Sequence, residues 1–159
     1  MIEEKVGGVL SGLGFEYEVI EIDPALADTA AFCAHYGYPP EKSANTILVA
    51  SKKEPRKYAA CVVLATTQLD VNRRVRSLLE VSRASFATAE EMRAVTGMEV
   101  GGVTPFALPP GLPLYIDRRI ESLDWIILGG GGRRTKIRIA PEALARLGGQ
   151  FVEGLATER

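Results

Sequence analysis

The stretch GMEVGGVTPF, residues 97–106, joins a helical pattern to the strands that follow it. Gly101 and Gly102 permit backbone angles that other residues avoid, and Pro105 stiffens the end of the loop. Such a loop lets a ligand approach the main chain and leaves N–H groups free to bind oxygen atoms. The same composition also suits a purely structural turn. The loop therefore predicts a binding site made by backbone rather than a nucleophile, with a structural turn as the alternative.

Helical patterns lie on both sides of this loop. They cover about residues 3–13 and 28–36, and a third begins at Asp70, which we expect to cap it. Thr88 and Glu91 form a capping-box pattern for a fourth helix, which stops at Gly97. A short fifth helix begins at Pro141. Strand patterns alternate with these helices and cover residues 17–22, 46–51, 58–64, 114–116, 125–128 and 135–139, with an edge strand at 151–152.

The length of 159 residues suits one compact domain, residues 1–159, because no linker, repeat or low-complexity tract divides the chain. The alternation of helices and short strands predicts the α/β class. We expect helices to flank a central, mixed and strongly curved, barrel-like sheet.

Composition favours a soluble cytoplasmic protein. Apolar residues make up 47% of the chain, and no apolar run approaches the ~20 residues that a transmembrane helix needs. The first residues lack the basic and then apolar pattern of a signal peptide. Cys33 and Cys61 are expected to be free thiols, and Cys61 lies in a buried strand.

Charge is unevenly distributed, although the formal net charge is only -1. The first 30 residues are acidic, whereas residues 52–83 and 133–138 are rich in Lys and Arg. If the basic runs share a face with the glycine loops, they form a platform for a phosphate backbone. The alternative is an ordinary solvated surface.

Several kinds of active site do not fit the residues present. One histidine and two distant cysteines lack the spacing of a usual zinc site, so no metal or cofactor is expected. His35 near a helix end is better explained by the helix dipole than by catalysis. The chain has no Gly-x-Ser-x-Gly elbow and no Walker loop. These observations argue against a serine hydrolase and a nucleotide hydrolase.

Four stretches in order carry a family resemblance: NTILVA at 45–50, the glycine loop at 97–106, LPLYID at 112–117 and GGGGR at 129–133. Their order and spacing resemble the YbaK family of aminoacyl-tRNA editing domains. This family includes the free-standing ProX-type deacylases and the editing insertion of bacterial prolyl-tRNA synthetases. The resemblance runs from about the first helix to the last, and it implies the same curved α/β fold.

The resemblance also implies where the site lies. The Gly-x-x-x-Pro loop would bind the aminoacyl end of tRNA, and the glycine run would form another wall. Catalytic roles are expected for Asn45, Lys136, Gly101 and Gly102. Substrate-binding roles are expected for Thr46, Val103, Thr104, Pro105, Asp117, Gly129, Gly130 and Gly131.

Three positions differ from the family pattern. Asn45 stands where family members usually carry a lysine, and Lys136 stands where the Cys-tRNA(Pro) deacylases have an aspartate. Ala107 replaces a glycine at the end of the loop, and Lys42 lies three residues before Asn45. Asparagine donates a hydrogen bond but brings no charge. We hypothesise that Lys136 restores the positive charge from the opposite strand.

Other polar residues have two interpretations each. Asp117 would either orient a water or an amino group, or stabilise the turn after its strand. The hydroxyls of Thr46 and Thr104 suit hydrogen bonds to a ribose or an α-amino group. Neither threonine has an adjacent base, so neither is predicted to be a nucleophile.

Two functions therefore stay open. The first is a metal-independent deacylase that hydrolyses a mischarged Cys- or Ala-tRNA(Pro)-like ester, with loop amides stabilising the oxyanion. The second is a non-catalytic module of the same fold that binds tRNA or an aminoacyl ligand. The expected partners are the tRNA acceptor end and an aminoacyl-tRNA synthetase, with no membrane partner, and the expected state is a monomer or a small homo-oligomer.

Overall fold

The fold of residues 2–159 is described by a computed structural model. Its helices are α1 Ile2–Leu13, α2 Thr29–Tyr36, α3 Arg76–Leu79, α4 Ala89–Thr96 and α5 Glu142–Arg146. Its strands are β1 Tyr17–Glu21, β2 Ala44–Ser51, β3 Tyr58–Leu64, β4 Thr67–Leu69, β5 Ala84–Phe86, β6 Leu114–Asp117, β7 Ile126–Gly129, β8 Thr135–Ile139, β9 Gln150–Val152 and β10 Ala156–Glu158. The α/β class predicted from the sequence is confirmed, whereas β4, β5 and β10 were not predicted.

The helix ends follow the local capping chemistry of the sequence. The predicted capping box is present, because the Thr88 side chain accepts from the Glu91 amide and the Glu91 side chain accepts from the Thr88 amide. Asp70 caps a π-helical turn, Val71–Val75, which leads into α3. Gly37 and Gly97 end α2 and α4 in the left-handed conformation. None of the helices among residues 2–159 combines the length and apolar character needed to cross a bilayer.

The largest sheet has five strands in the order β5-β2-β3-β6-β9. β2 pairs antiparallel with both β3 and β5, whereas β6 pairs parallel with β3 and β9. The predicted mixed character of the sheet is therefore present. The predicted edge strand at 151–152 forms part of β9, which lies at one edge.

Two smaller sheets complete the fold, one with the order β1-β8-β7 and one pairing β10 with β4. The prediction of a single, strongly curved, barrel-like sheet is not confirmed, because none of these sheets closes within residues 2–159. The reason lies at β2. Within residues 2–159, its edge opposite β3 is joined to β7 only through a bridge between Ser43, the residue before β2, and Ile127, and it pairs with β5 from Val49 onward.

The core is divided by the five-stranded sheet. Ala60 and Val62 of β3 pack into one cluster with α1, and Ala59, Cys61 and Val63 pack into a second cluster with the π-helical turn. A third, smaller cluster joins α2 to β7 and has Phe32 at its centre. Both faces of β3 are buried, and β2 pairs with β3 along its length. The part of the other β2 edge left unpaired among the described residues lies on the side away from β3.

Candidate active site

A cleft of about 580 Å³ opens between the bridge to β7 and the pairing with β5. Its walls come from α2, β2, the segment between β5 and α4, the glycine loop, and strands β7 and β8. Six of the residues selected from the sequence line it: Asn45, Thr46, Gly101, Val103, Gly129 and Lys136. Gly102, Thr104, Pro105, Asp117, Gly130 and Gly131 do not line it.

The open edge of β2 presents main-chain groups to this cleft. The Ser51 amide donates to the Lys57 carbonyl just before β3, and the Ala65 amide just after β3 donates to the Ser43 carbonyl. The main-chain groups of odd-numbered residues therefore face β3. Because hydrogen-bonding directions alternate along a strand, the even-numbered residues face the other edge. The Leu48 carbonyl confirms this alternation, because it accepts from the Ala87 amide on that edge. The N–H and C=O of Thr46 therefore face the gap between β7 and β5.

The Thr46 hydroxyl adds to this polar edge. Its oxygen is buried and has no hydrogen-bond partner within the described residues. A buried hydroxyl without a partner is costly, and a bound polar ligand would remove that cost.

Lys136 extends from β8 into the cleft and is only 5% exposed. Its Nζ donates to the carbonyl of Ala27 at 2.6 Å and to that of Gly101 at 3.1 Å. Burial lowers the pKa of Lys136 to about 8, while the nearby Asp28 raises it. The ammonium thus holds the glycine loop against the segment before α2, and its Nζ also lies 5.5 Å from the centroid of the Phe32 ring.

Asn45 lies on the same cleft, and its side-chain oxygen accepts a hydrogen bond from the Thr29 hydroxyl. This contact fixes the amide on the α2 wall. Lys42 is directed elsewhere, because its Nζ binds Asp124 at 2.7 Å and lies over the Trp125 ring. Of these two lysines, Lys136 alone lines the cleft beside Asn45.

The glycine loop is fixed by Arg133, which the sequence indicated only as part of a basic run. Its guanidinium donates to the carbonyl of Val100 at 2.7 Å, to that of Pro24 at 3.0 Å and to Asp28 at 3.2 Å. These contacts join the loop to the segment before α2. The hydrogen bonds of the Arg133 guanidinium therefore position the loop.

The glycines of the two loops serve close packing as much as ligand approach. A Cβ on Gly102 would lie 2.3 Å from the Gly132 carbonyl oxygen, and one on Gly129 would lie 2.5 Å from that of Val103. The Gly131 amide donates to Gly102 at 2.6 Å, and the Gly102 amide donates to Glu99 at 3.0 Å. Two of these amides are thus already occupied.

Amides at Gly101 and Val103 are better placed for a ligand. Both residues line the cleft, and their N–H groups have no acceptor within residues 2–159. Gly101 has a φ of 88°, which a side chain would strain. Any oxyanion support from this loop would therefore come from these two positions.

Thr104, Pro105, Gly130 and Gly131 belong to the two loops but do not line the cleft. Thr104 is fully buried, and its hydroxyl accepts from the Phe106 amide as Pro105 begins a short 3-10 turn. A Cβ on Gly130 would lie 2.1 Å from the Thr135 hydroxyl, and one on Gly131 would lie 2.8 Å from Ile2. These residues shape the loops without lining the cleft.

Asp117 ends β6 opposite Val152, away from the cleft lining. It is 1% exposed, and its Oδ2 has no hydrogen-bond partner within the described residues. Burial raises the pKa of Asp117. His35 also lies outside the cleft, packed edge-on against the Tyr36 ring.

Phe86 and Arg159 line the cleft, although no sequence pattern predicted either one as a site residue. Phe86 belongs to a three-residue strand without a clear pattern, and Arg159 reaches the site through the pairing of β10 with β4. The Arg159 Nε donates to the Thr67 carbonyl at 3.0 Å. Only tertiary structure brings these side chains to the cleft.

Comparisons with known proteins agree with this architecture. A crystal structure provisionally described as a trans-editing enzyme for prolyl-tRNA synthetase superposes with a TM-score of 0.82 at 23% identity, covering 99% of this chain and 98% of that one. The hypothetical protein APE2540 superposes with a TM-score of 0.85 at 24% identity, covering 96% and 99%. At these identities the structures show a shared fold.

Sequence comparison adds the family. Over 65 residues the chain is 34% identical to a protein of Enterococcus faecalis provisionally named Cys-tRNA(Pro)/Cys-tRNA(Cys) deacylase EbsC. That match spans 40% of this chain and 40% of the relative. The profile of the aminoacyl-tRNA editing domain matches residues 23–147, most of the chain, and confirms the resemblance drawn from the sequence. This chain belongs to the aminoacyl-tRNA editing domain family.

Proposed function

We propose that this protein is a deacylase that hydrolyses the ester of a mischarged aminoacyl-tRNA and releases the amino acid and the tRNA. The observation that carries the proposal is the cleft in which the Lys136 ammonium, the Gly101 and Val103 amides and the open edge of β2 converge. Family membership supports the substrate class. We also propose that residues 1–159 act as one domain.

The ester needs little chemical activation from the protein. A water oxygen bonds to the ester carbonyl carbon, and the resulting oxyanion is stabilised by the Gly101 and Val103 amides. The bond from that carbon to the ribose oxygen then breaks, and the proton from the water passes to the ribose oxygen. No metal takes part in the proposed reaction, and positioning supplies much of the rate enhancement.

Lys136 has two roles in this proposal. It holds the Gly101 carbonyl, which keeps the next amides aligned, and its positive charge belongs to the lining of the cleft in which the substrate would bind. Asn45 supplies the neighbouring uncharged donor. Lys136 thereby takes over the charge that the family's usual lysine would provide at position 45.

The cleft fits an aminoacyl group of modest size. Its volume of about 580 Å³ lies in the range of small-molecule sites. Ala44, Ala87 and Met92 form apolar parts of its lining, which suit a cysteine or alanine side chain. We propose Cys- or Ala-tRNA(Pro) as the substrate, a synthetase as an occasional partner, and a monomer or small homo-oligomer.

A binding module without catalysis is the second candidate function. Asn45 favours it, because Asn45 is neutral and its oxygen is already bonded to Thr29. In that case the cleft would hold the aminoacyl end without hydrolysing the ester. The two candidates differ in whether the ester between the amino acid and the tRNA is hydrolysed.

The test is deacylation of tRNA(Pro) charged with cysteine, alanine or proline. We expect wild type to release cysteine or alanine but not proline, and Lys136→Met to lower kcat/KM about 100- to 1,000-fold. Lys5→Ala, a change of an exposed lysine on α1, is the matched control and should keep full activity. Circular dichroism checks that each variant is folded.

Full activity of a folded Lys136→Met variant would reject the role given to Lys136 but not the deacylase proposal. No turnover by wild type would reject the deacylase proposal, and turnover by Asn45→Lys in the same assay would favour the binding module.

A further inference from the structure

A groove continues from the cleft along β5. Phe86 lines both the cleft and a neighbouring depression of about 460 Å³, and Ser85 and Asn72 line both that depression and a third one of about 360 Å³. The three depressions therefore follow one another along the strand. We call the part beyond the cleft, from Phe86 to Lys52, the β5 groove.

Phe86 stands where the cleft meets the β5 groove. It is 56% exposed, although its backbone is fixed by pairing with Val49. A large aromatic ring in water is unfavourable unless a ligand covers it. The ring therefore offers a fixed platform on which a flat apolar group can stack.

The far end of the β5 groove is positively charged. Lys52, Arg76 and Arg83 line it, no carboxylate belongs to its lining, and none of the three is in an ion pair within residues 2–159. Arg73 in the middle is partly neutralised by Asp70 at 3.6 Å. The groove thus combines a ring near the cleft with cations beyond it that form no ion pair among the described residues, although Arg76 also donates to the Ser82 carbonyl at 3.4 Å.

We infer that the β5 groove binds the single-stranded 3′ end of an RNA, with a base stacked on Phe86 and phosphates near Lys52, Arg76 and Arg83. This inference rests on the proposed function, because the strand entering the cleft is the one that would carry the ester. Aromatic platforms beside cationic grooves are the usual means of binding single strands.

The dimensions favour a single strand. Residues 83 to 86 span about 10 Å along β5 at the usual rise of a strand, which corresponds to a few nucleotides at most. A base must also be unpaired before its face can cover Phe86. An acidic peptide would satisfy the cations but would leave the ring without a stacking partner.

The test measures binding of a fluorescent RNA hairpin that carries no amino acid and ends in a four-nucleotide ACCA overhang. The same hairpin with a blunt end is measured beside it. We expect wild type to prefer the overhang. Phe86→Ala should weaken overhang binding about 5- to 100-fold and leave blunt-end binding unchanged, whereas Phe86→Tyr should retain the preference. Tyr17→Ala, which removes a 37% exposed aromatic ring from β1, is the matched control.

The charged part of the groove is tested by salt dependence. Arg76→Ala combined with Arg83→Ala should reduce the slope of log K against log salt by about 1.4. Lys5→Ala combined with Arg93→Ala removes the same charge from exposed positions on α1 and α4 and should leave the slope unchanged.

Equal binding of both hairpins, or a folded Phe86→Ala variant that binds as wild type does, would overturn the inference. Binding of a poly-glutamate peptide as tightly as the overhang would also overturn it. Because the RNA carries no ester, the result does not depend on hydrolysis. Deacylation without overhang preference would reject the groove alone, and overhang preference without deacylation would reject the reaction alone.

Discussion

At Lys136, burial and charge oppose each other. Removing an ammonium from water is unfavourable, and the Ala27 and Gly101 carbonyls offset that cost only in part, since the pKa of Lys136 still falls to about 8. The benefit is positional, because one side chain fixes two walls of the cleft. The Lys136 ammonium is therefore held in position before a substrate binds.

The lowered pKa predicts a pH dependence of stability. Between about pH 8 and 10.5 the folded protein releases the Lys136 proton while the unfolded chain keeps it, so this residue's contribution to the free energy of unfolding rises with pH. We expect the unfolding free energy of wild type minus that of Lys136→Met to rise by up to about 3 kcal/mol across this range. Urea unfolding at pH 7, 8, 9 and 10 measures it.

The comparison removes other titrations. Burial raises the pKa of Cys61 to about 12 and also raises that of Tyr115, so both groups lower stability at high pH. Wild type and Lys136→Met share these groups, and their effects cancel in the difference. A difference that stays flat from pH 7 to 10 would show that Lys136 is not desolvated as described.

At the scale of elements, the two glycine loops pack against each other and form one wall of the cleft. The Gly131 amide bonds to Gly102, and the backbone of Gly132 lies where a Cβ of Gly102 would be. Backbone atoms at this distance cannot move aside as a flexible side chain can. The sequence of the loops is therefore constrained by their mutual contact even where they do not touch a ligand.

Gly102→Ala should lower the free energy of unfolding by about 1–3 kcal/mol because it overpacks this contact. The matched control is Gly8→Ala on α1, where a Cβ meets nothing within 4 Å. That change should raise the free energy by about 0.5–1 kcal/mol, since alanine favours a helix. Chemical denaturation measures both. If Gly102→Ala were as stable as wild type, the loops would not be in tight contact.

Elements were predictable from the sequence where their signals are local. The Thr88 to Glu91 capping box and the stops at Gly37 and Gly97 depend on a few neighbouring residues, and all are present. The strands β4, β5 and β10 have three residues each and gain their structure from pairing partners distant in sequence. The division into three sheets depends on the same distant pairings.

The candidate site was predictable to a similar degree. Family resemblance brought Asn45, Gly101 and Lys136 to one place, and they do line one cleft. Arg133, Phe86 and Arg159 were missed because their roles come from contacts made across the fold. The sequence indicated Arg133 only as part of a basic run, and it did not single out Phe86 or Arg159.

At the scale of the whole molecule, the cleft lies between regions of unequal packing. β3 is buried between two large clusters, whereas α2 packs on a small cluster around Phe32. The segment before α2 carries the Ala27 carbonyl that binds Lys136. The wall that completes the cleft is therefore the one with the smallest core.

This difference predicts two levels of protection from hydrogen exchange. Amides in β3 should exchange only by global unfolding, and amides in α2 should exchange through a local opening that costs a few kcal/mol less. Phe32→Ala should lower the protection of α2 and that of β3 by the same free energy, because the contacts of the buried Phe32 ring are lost both in the local opening and in global unfolding. Native-state hydrogen exchange by NMR measures both sets of amides.

Val6→Ala removes a buried side chain from the cluster that contains β3. It should lower the protection of β3 and leave that of α2 unchanged, because the local opening of α2 leaves this cluster intact. Equal losses in α2 and β3 with Val6→Ala would mean that the molecule unfolds as one unit. If α2 does open separately, a ligand that contacts both Lys136 and the α2 wall binds neither the locally opened nor the unfolded state, so it should slow exchange in α2 and in β3 by the same factor. Equal slowing in both regions would then report occupancy of the cleft, whether or not the ligand is hydrolysed.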